Sequence, residues 1–241
     1  MSDKEKIPIG SPASYINREL SWLSFARRVL ALAQDPSMPL LERVKFAGIM
    51  GMLYDEFAMK RIGGMRRRLE KKSARISSDG LTVMQELEIS RNELQRQSAI
   101  LSELVEKELR PALAKAGIPI LNYDELNENQ LAQLQDYFRD AVEPMLTPLA
   151  VDAGHPFPFI SNLGLNLAIL VKERGHKKPR FVRIEVPPNR PRWVEVAKAT
   201  YVPLEQVIAA NLERLFPNAE QIDCHTFRVT RGAKDDPWDR I

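Results

Sequence analysis

Apolar residues recur at helical spacing through the first half of the chain. Leu20, Leu23, Ala26, Val29, Leu30 and Ala33 form one stripe, widened by Trp22 and Phe25. Asn17 stands where a helix cap belongs, and Asp35, Pro36 and Pro39 end the pattern. From Leu40 to Met59 few polar positions remain, which predicts a helix enclosed in a bundle. Gly48 and Gly51 lie inside it, each costing about 1 kcal/mol relative to Ala in a helix. Gly63 and Gly64 follow and permit a bend or loosening before the basic run. Ser77-Ser78-Asp79-Gly80 reads as a turn, and Thr82 with Gln85 as a capping box. Leu87, Leu94, Leu101, Leu104 and Leu109 then mark the buried face of a long helix, with Pro111 as a kink and Gly117 as its stop.

After Gly117 the pattern changes. Asn127 and Gln130 open a helix that runs to about Val142, and Pro144 and Pro148 close it. Residues 165–171, Phe181 to Val186, Arg192 to Val196 and Phe227 to Thr230 read as strands. Leu204, Val207, Ile208, Leu212 and Leu215 form an amphipathic helix between Pro203 and Pro217. The expected fold is therefore α+β: an N-terminal antiparallel helical bundle, then a mixed α+β domain. The expected divisions are a flexible leader over 1–14, a helical domain over 15–117 and an α+β domain over 118–241. The last reads as incomplete, because an unfinished sheet leaves strand edges open.

The 241 residues, 44% apolar and 28% charged, fit a globular protein of two modest domains. No apolar run approaches the ~20 residues that span a bilayer. Cys224 is the only cysteine, so no intrachain disulfide can form and a cytosolic setting is expected.

The net charge of +3 is small, but Lys60, Arg61, Arg66, Arg67, Arg68, Lys71, Lys72 and Arg75 crowd one stretch. Such a run suits a polyanion, whether nucleic acid, polyphosphate or an anionic membrane face. It also suits a solvated helix end, and both readings stay open. Arg61, Arg66, Arg67 and Arg68 are the polyanion-binding candidates.

No P-loop, GxGxxG, HExxH or CxxC motif is present. His155, His176 and His225 lack metal-ligand spacing. Asp55 and Glu56 are adjacent and point apart on a helix, so they do not form a paired acid/base site.

Several strings resemble one family. Tyr15-Ile16-Asn17-Arg18-Glu19-Leu20-Ser21-Trp22-Leu23-Ser24-Phe25 is similar to the opening of the long, multidomain polyphosphate kinases. So are Pro39-Leu40-Leu41-Glu42-Arg43-Val44-Lys45-Phe46 and Asp55-Glu56-Phe57 with Met59 and Arg61. Leu146 to Asp152, His155 to Leu163, Val202 to Glu205 and Phe227 to Arg231 continue the likeness in the same order.

The resemblance implies reversible transfer of the terminal phosphate of ATP to polyphosphate, with magnesium, in a homo-oligomer. It implies a helical first domain at the adenine side of ATP and a head domain in dimer contacts. It also implies that the phosphorylated histidine and the magnesium ligands belong to domains beyond Ile241. This segment would then hold no catalytic residue and be inactive alone.

One position departs from the pattern. The family places an Asn, which contacts ATP, two residues before the Asp-Glu-Phe string, and Leu53 stands there. Leucine cannot donate or accept a hydrogen bond, a loss worth roughly 0.5–1.5 kcal/mol. An alternative reading is a non-catalytic scaffold relative that binds polyphosphate or a full-length kinase subunit. A nucleic-acid-binding helical protein stands behind both, since no base-reading module is present.

Overall fold

The computed structural model describes residues 7–71, 76–151, 157–175 and 178–232. Lys72, Arg75, His155, His176 and Ile241, all named above, lie outside them. The fold is α+β, with a helical N-terminal region followed by an antiparallel sheet. The chain divides into two compact units, 1–112 with 230–241, and 113–229.

In the helical unit, α1 (Arg18–Gln34) starts at Asn17, whose side-chain oxygen accepts from the Glu19 and Leu20 amides. That cap satisfies two of the four amides a helix start leaves unpaired. α1 buries Leu23, Ala26, Val29, Leu30 and Ala33, as the stripe predicts. Phe25 instead faces outward, with the Arg28 guanidinium 5.6 Å above its ring.

α2 (Leu40–Phe57) packs on α1, but only Met50 and Phe57 are fully buried, while Leu41 and Met52 are exposed. The expected enclosure on all sides is not found. α1 and the long helix cover one side of α2, and among the described residues no element covers Leu41 and Met52. Trp22 and Phe57 meet with ring centroids 4.9 Å apart.

α2 continues without a break through a π turn, Ala58–Ile62, into α3 (Gly63–Glu70). Of the bend or loosening that the two glycines permit, no bend is found, since Gly63 is helical at φ −56°, and the helix widens only in the π turn just before them. A Cβ on Gly63 would lie 3.1 Å from the Gly232 Cα, so its missing side chain makes room for a crossing backbone. Ile62, Met65 and Leu69, one helical stripe, pack on Val83 and Leu87.

The capping box of Thr82 and Gln85 opens α4 (Val83–Leu104). A second π turn, Val105–Leu109, leads into α5 (Arg110–Lys115). Pro111 lacks an amide proton and its ring crowds the carbonyl four residues back, and the wider turn just before it relieves that clash. Gly117, at φ +82°, closes the run where a side chain would be strained.

Glu93 ties α4 to α1. Its carboxylate accepts from Arg96, Gln97 and Arg27. Those bonds, Arg96 foremost, outweigh burial and hold its pKa at about 2, below the usual 4.5. The folded value lies under the unfolded one, so this contribution is complete above pH 4.5 and is lost as pH falls toward 2. Thermal melts should show stability declining across that window, and Glu93→Gln should flatten the decline. An unchanged acid limb in the variant would show that Glu93 is not a main carrier of it.

The second unit starts with α6 (Glu128–Tyr137), capped by Asn127 and Gln130 as the sequence predicts, and a π turn, Phe138–Val142. β1 (Leu149–Val151), β2 (Leu165–Glu173), β3 (Arg180–Glu185) and β6 (Ala219–Arg228) form an antiparallel sheet in the order β1-β3-β2-β6. β4 (Trp193–Ala197) and β5 (Thr200–Pro203) form a hairpin, followed by α7 (Leu204–Ala210) and α8 (Leu212–Leu215).

Leu167, Ile169 and Val171 alternate onto one sheet face with Val182 and Ile184. Phe138, Val142, Leu204, Val207 and Ile208 close the core over it. β1 and β5 go unread in the sequence because three or four residues carry no period. β6 begins eight residues before the predicted Phe227, since its polar-rich stretch matches no strand template.

Candidate functional site

α3 has two faces. Ile62, Met65 and Leu69 turn toward α4. Lys60, Arg61, Gly64, Arg67, Arg68 and Lys71 recur three or four residues apart on the other side. Together with Arg18 and Glu19 they line an open cavity of about 360 Å³. Six cations thus surround one carboxylate. Gly64 lies in the middle of the stripe, and a Cβ there would meet only the Arg67 guanidinium, at 4.0 Å. The side chains at 60, 61, 67 and 68 can therefore converge over bare backbone.

The cations differ in how they are held. Lys60 pairs with the exposed Glu56 at 2.6 Å, an ordinary helix-face contact worth little. Arg18 donates twice to Glu19 Oε1, at 3.2 and 2.7 Å, which raises its pKa above the ordinary value. Arg61 Nε lies 3.3 Å from Glu19 Oε2, too poorly aligned for a hydrogen bond, so the contact is Coulombic. Arg68 donates to Glu86 Oε2 at 3.2 Å. Among the described residues, Arg67 and Lys71 have no carboxylate partner.

Two buried carboxylates back these cations, Glu19 on the cavity wall at 3% exposure and Glu86 behind Arg68 at 6%. Asn17 joins them. Its oxygen caps α1 at the Glu19 amide, and its side-chain amide donates to Glu86 Oε1 at 3.1 Å. Hence the starts of α1 and α4 and the whole of α3 meet at one place.

Of the residues singled out from sequence, Arg61, Arg67 and Arg68 come together here. Arg66 is exposed and does not line the cavity. Leu53 lies apart from it, packed with Tyr54 against the core of α1 and α2. The Tyr54 hydroxyl is buried without a hydrogen-bond partner, and burial, with the Glu93 charge, pushes its pKa up to about 12. Arg18, Glu19 and Glu86 were missed as site residues. The legible signal was the Asn17 cap, which fixes where Arg18 and Glu19 begin their helix.

His225 lies on β6 opposite Ala168. Among the described residues no three His, Cys, Asp or Glu side chains form a metal-ligand group. Nor is any helix long and apolar enough to cross a membrane. Cys224 is half-buried and its thiol pKa is raised by burial, which disfavours the nucleophilic thiolate.

The helical face, the capped starts of α1 and α4 and the four-stranded sheet can be set beside known proteins. A model of the polyphosphate kinase N-terminal domain matches residues 15–121, and one of the polyphosphate kinase middle domain matches residues 129–236. The chain belongs to the polyphosphate kinase family.

Among relatives named polyphosphate kinase, that of Streptomyces coelicolor is 46% identical over 224 residues, covering 90% of this chain and 29% of its own length. That of Mycobacterium avium is 43% identical over 231 residues, covering 91% and 32%. The Synechocystis polyphosphate kinase is 40% identical over 245 residues, covering 97% and 34%. The crystal structure of the Porphyromonas gingivalis polyphosphate kinase superimposes with a TM-score of 0.81 at 26% identity, over 91% of this chain and 34% of that one. The chain therefore spans about a third of the length of the polyphosphate kinases it matches.

Proposed function

We propose that the chain supplies the N-terminal and middle parts of an ATP:polyphosphate phosphotransferase, and that its helical unit holds phosphate groups in the cavity at Arg61, Arg67 and Arg68. The observation that carries this reading is the convergence of six cations around Gly64, five from one helix face and Arg18 from α1. Guanidinium groups bind phosphate oxygens through paired N–H donors, and lysines add point charge. Two of the cations, Arg67 and Lys71, line the cavity with no carboxylate partner among the described residues, which leaves room for an external anion.

In this reading the whole enzyme uses ATP, polyphosphate and magnesium as a homo-oligomer. Among the described residues no three His, Cys, Asp or Glu side chains come together, and no step here is routed through magnesium. The chemical step, through a phosphohistidine, belongs to parts outside this chain. Leu53 packs where a hydrogen-bonding Asn was expected, so any adenine contact from that position is apolar. Domain divisions at 1–14, 15–117 and 118–241 remain part of the proposal.

Two measurements test it on the purified 241-residue chain. Titration calorimetry should show binding of inorganic polyphosphate that weakens steeply with salt, because released counter-ions drive it. Incubation with ATP, magnesium and polyphosphate should give no phosphate transfer. Robust transfer would show that the reacting group lies within this chain, and salt-independent or absent binding would remove the cavity from the reading.

A further inference from the structure

Glu19 and Glu86 present a paradox if the cavity takes phosphate, because each adds negative charge behind an anion site. Their geometry resolves it. Each carboxylate has one oxygen fixed at the start of α1, Glu19 by Arg18 and Glu86 by Asn17. Each has its other oxygen on one cavity arginine, Glu19 on Arg61 and Glu86 on Arg68. Both carboxylates are buried, while the side chains of Arg61 and Arg68 stay 35% and 40% exposed. Arg68 is thus held on the inner side by a hydrogen bond and Arg61 by charge alone, and both stay open on the outer.

A guanidinium has five N–H donors. Arg61 turns Nε inward and Arg68 turns one terminal nitrogen inward, which leaves donors on each for a ligand. Arg61 and Arg68 are seven residues apart, about 10 Å along a helix axis. A linked run of phosphates can offer each arginine a phosphate of its own, and a single phosphate does not.

Resting on the reading that the cavity holds a phosphate chain, we propose that Glu19 and Glu86 are positioning residues. They hold Arg61 and Arg68 as a pre-set pair of contacts for separated phosphates of one chain. A free arginine loses side-chain entropy when an anion fixes it, and here most of that ordering is complete before binding.

The sign of one substitution separates this from simple electrostatics. Glu19→Gln removes a negative charge and keeps the shape. If the glutamate were only a competing counter-ion, polyphosphate would bind more tightly. As a positioning residue its loss frees Arg61, and binding weakens about fivefold, the effect of re-ordering one long side chain. Glu86→Gln should act likewise through Arg68, whereas affinity for orthophosphate, which does not need the two arginines held apart, should change less.

The experiment titrates inorganic polyphosphate and orthophosphate into the 241-residue chain and its E19Q, E86Q and R67A variants at one salt concentration. NMR of the arginine Nε–H signals accompanies it. The expected result is weaker polyphosphate binding in E19Q and E86Q, with faster Nε–H exchange at Arg61 in E19Q only. If E19Q does not fold, E86Q decides by the sign of its affinity change. Unchanged or tighter binding in the glutamine variants, with R67A weakened, would overturn the positioning role and leave the cavity standing. Unchanged binding in R67A as well would overturn the cavity itself.

Discussion

Gly64→Glu lowers the affinity of this chain for inorganic polyphosphate by at least about thirtyfold, an unfavourable shift of roughly 2 kcal/mol from one carboxylate placed among partly exposed charges. On a helix the neighbours of position 64 are 60, 61, 67 and 68, and all four are cations. A glutamate there would fill the open floor and pair with them in place of a phosphate. The fold should not suffer. Gly64 is helical, and a Cβ meets nothing closer than 4.0 Å. Glutamate is also a better helix former than glycine by about 0.5–1 kcal/mol. The melting temperature should therefore hold or rise while binding collapses. Gly64→Ala is the control, keeping both the cavity and the affinity. Parallel calorimetry and thermal melts check the pair. Wild-type affinity in the glutamate variant would mean that phosphate binds elsewhere.

Phe57→Ala destabilises the helical unit by about 3–5 kcal/mol, the usual cost of emptying a buried aromatic site. Phe57 is 1% exposed and its ring meets Trp22 across the contact of α1 and α2. Most globular domains have only about 5–15 kcal/mol to lose, so the variant should be marginal at ambient temperature. Phe57 is also the last residue of α2, directly before the π turn that presents Arg61. Loosening it should disturb the site as well as the core. Urea unfolding measures the effect as a lower midpoint at unchanged slope. A loss below about 1 kcal/mol would mean that the neighbours collapse into the space.

Local chemistry was readable wherever a few neighbouring residues decide it. Asn17, Thr82 with Gln85 and Asn127 with Gln130 act as helix caps, as their spacing predicts. These contacts span three residues and need no distant partner. The stripe of α1 and the apolar run of β2 were legible for the same reason. Gly63 and Gly64 left the choice between a bend and a loosening open, because glycine permits many conformations. A crossing backbone at Gly63 and a ring of cations at Gly64 explain their presence without a bend.

The site itself was half visible. Arg61, Arg67 and Arg68 stood out as a basic run, but Arg66 in the same run turns away, since helical geometry sends neighbouring residues to different faces. Glu19 and Glu86 gave no sign of their role. Each looks like an ordinary acidic residue in the first turn of a helix.

The sequence alone determined the element types, the caps, the family and the presence of surplus positive charge near α3, because periodicity, short-range hydrogen bonding and shared residue strings are properties of order along the chain. Only the tertiary structure decided which charges face one another. Glu19 and Arg61 are far apart in sequence yet 3.3 Å apart in space, as are Arg68 and Glu86 at 3.2 Å. Whether a carboxylate cancels a cation or aims it depends on that distance and on burial, and both arise only when the helices pack.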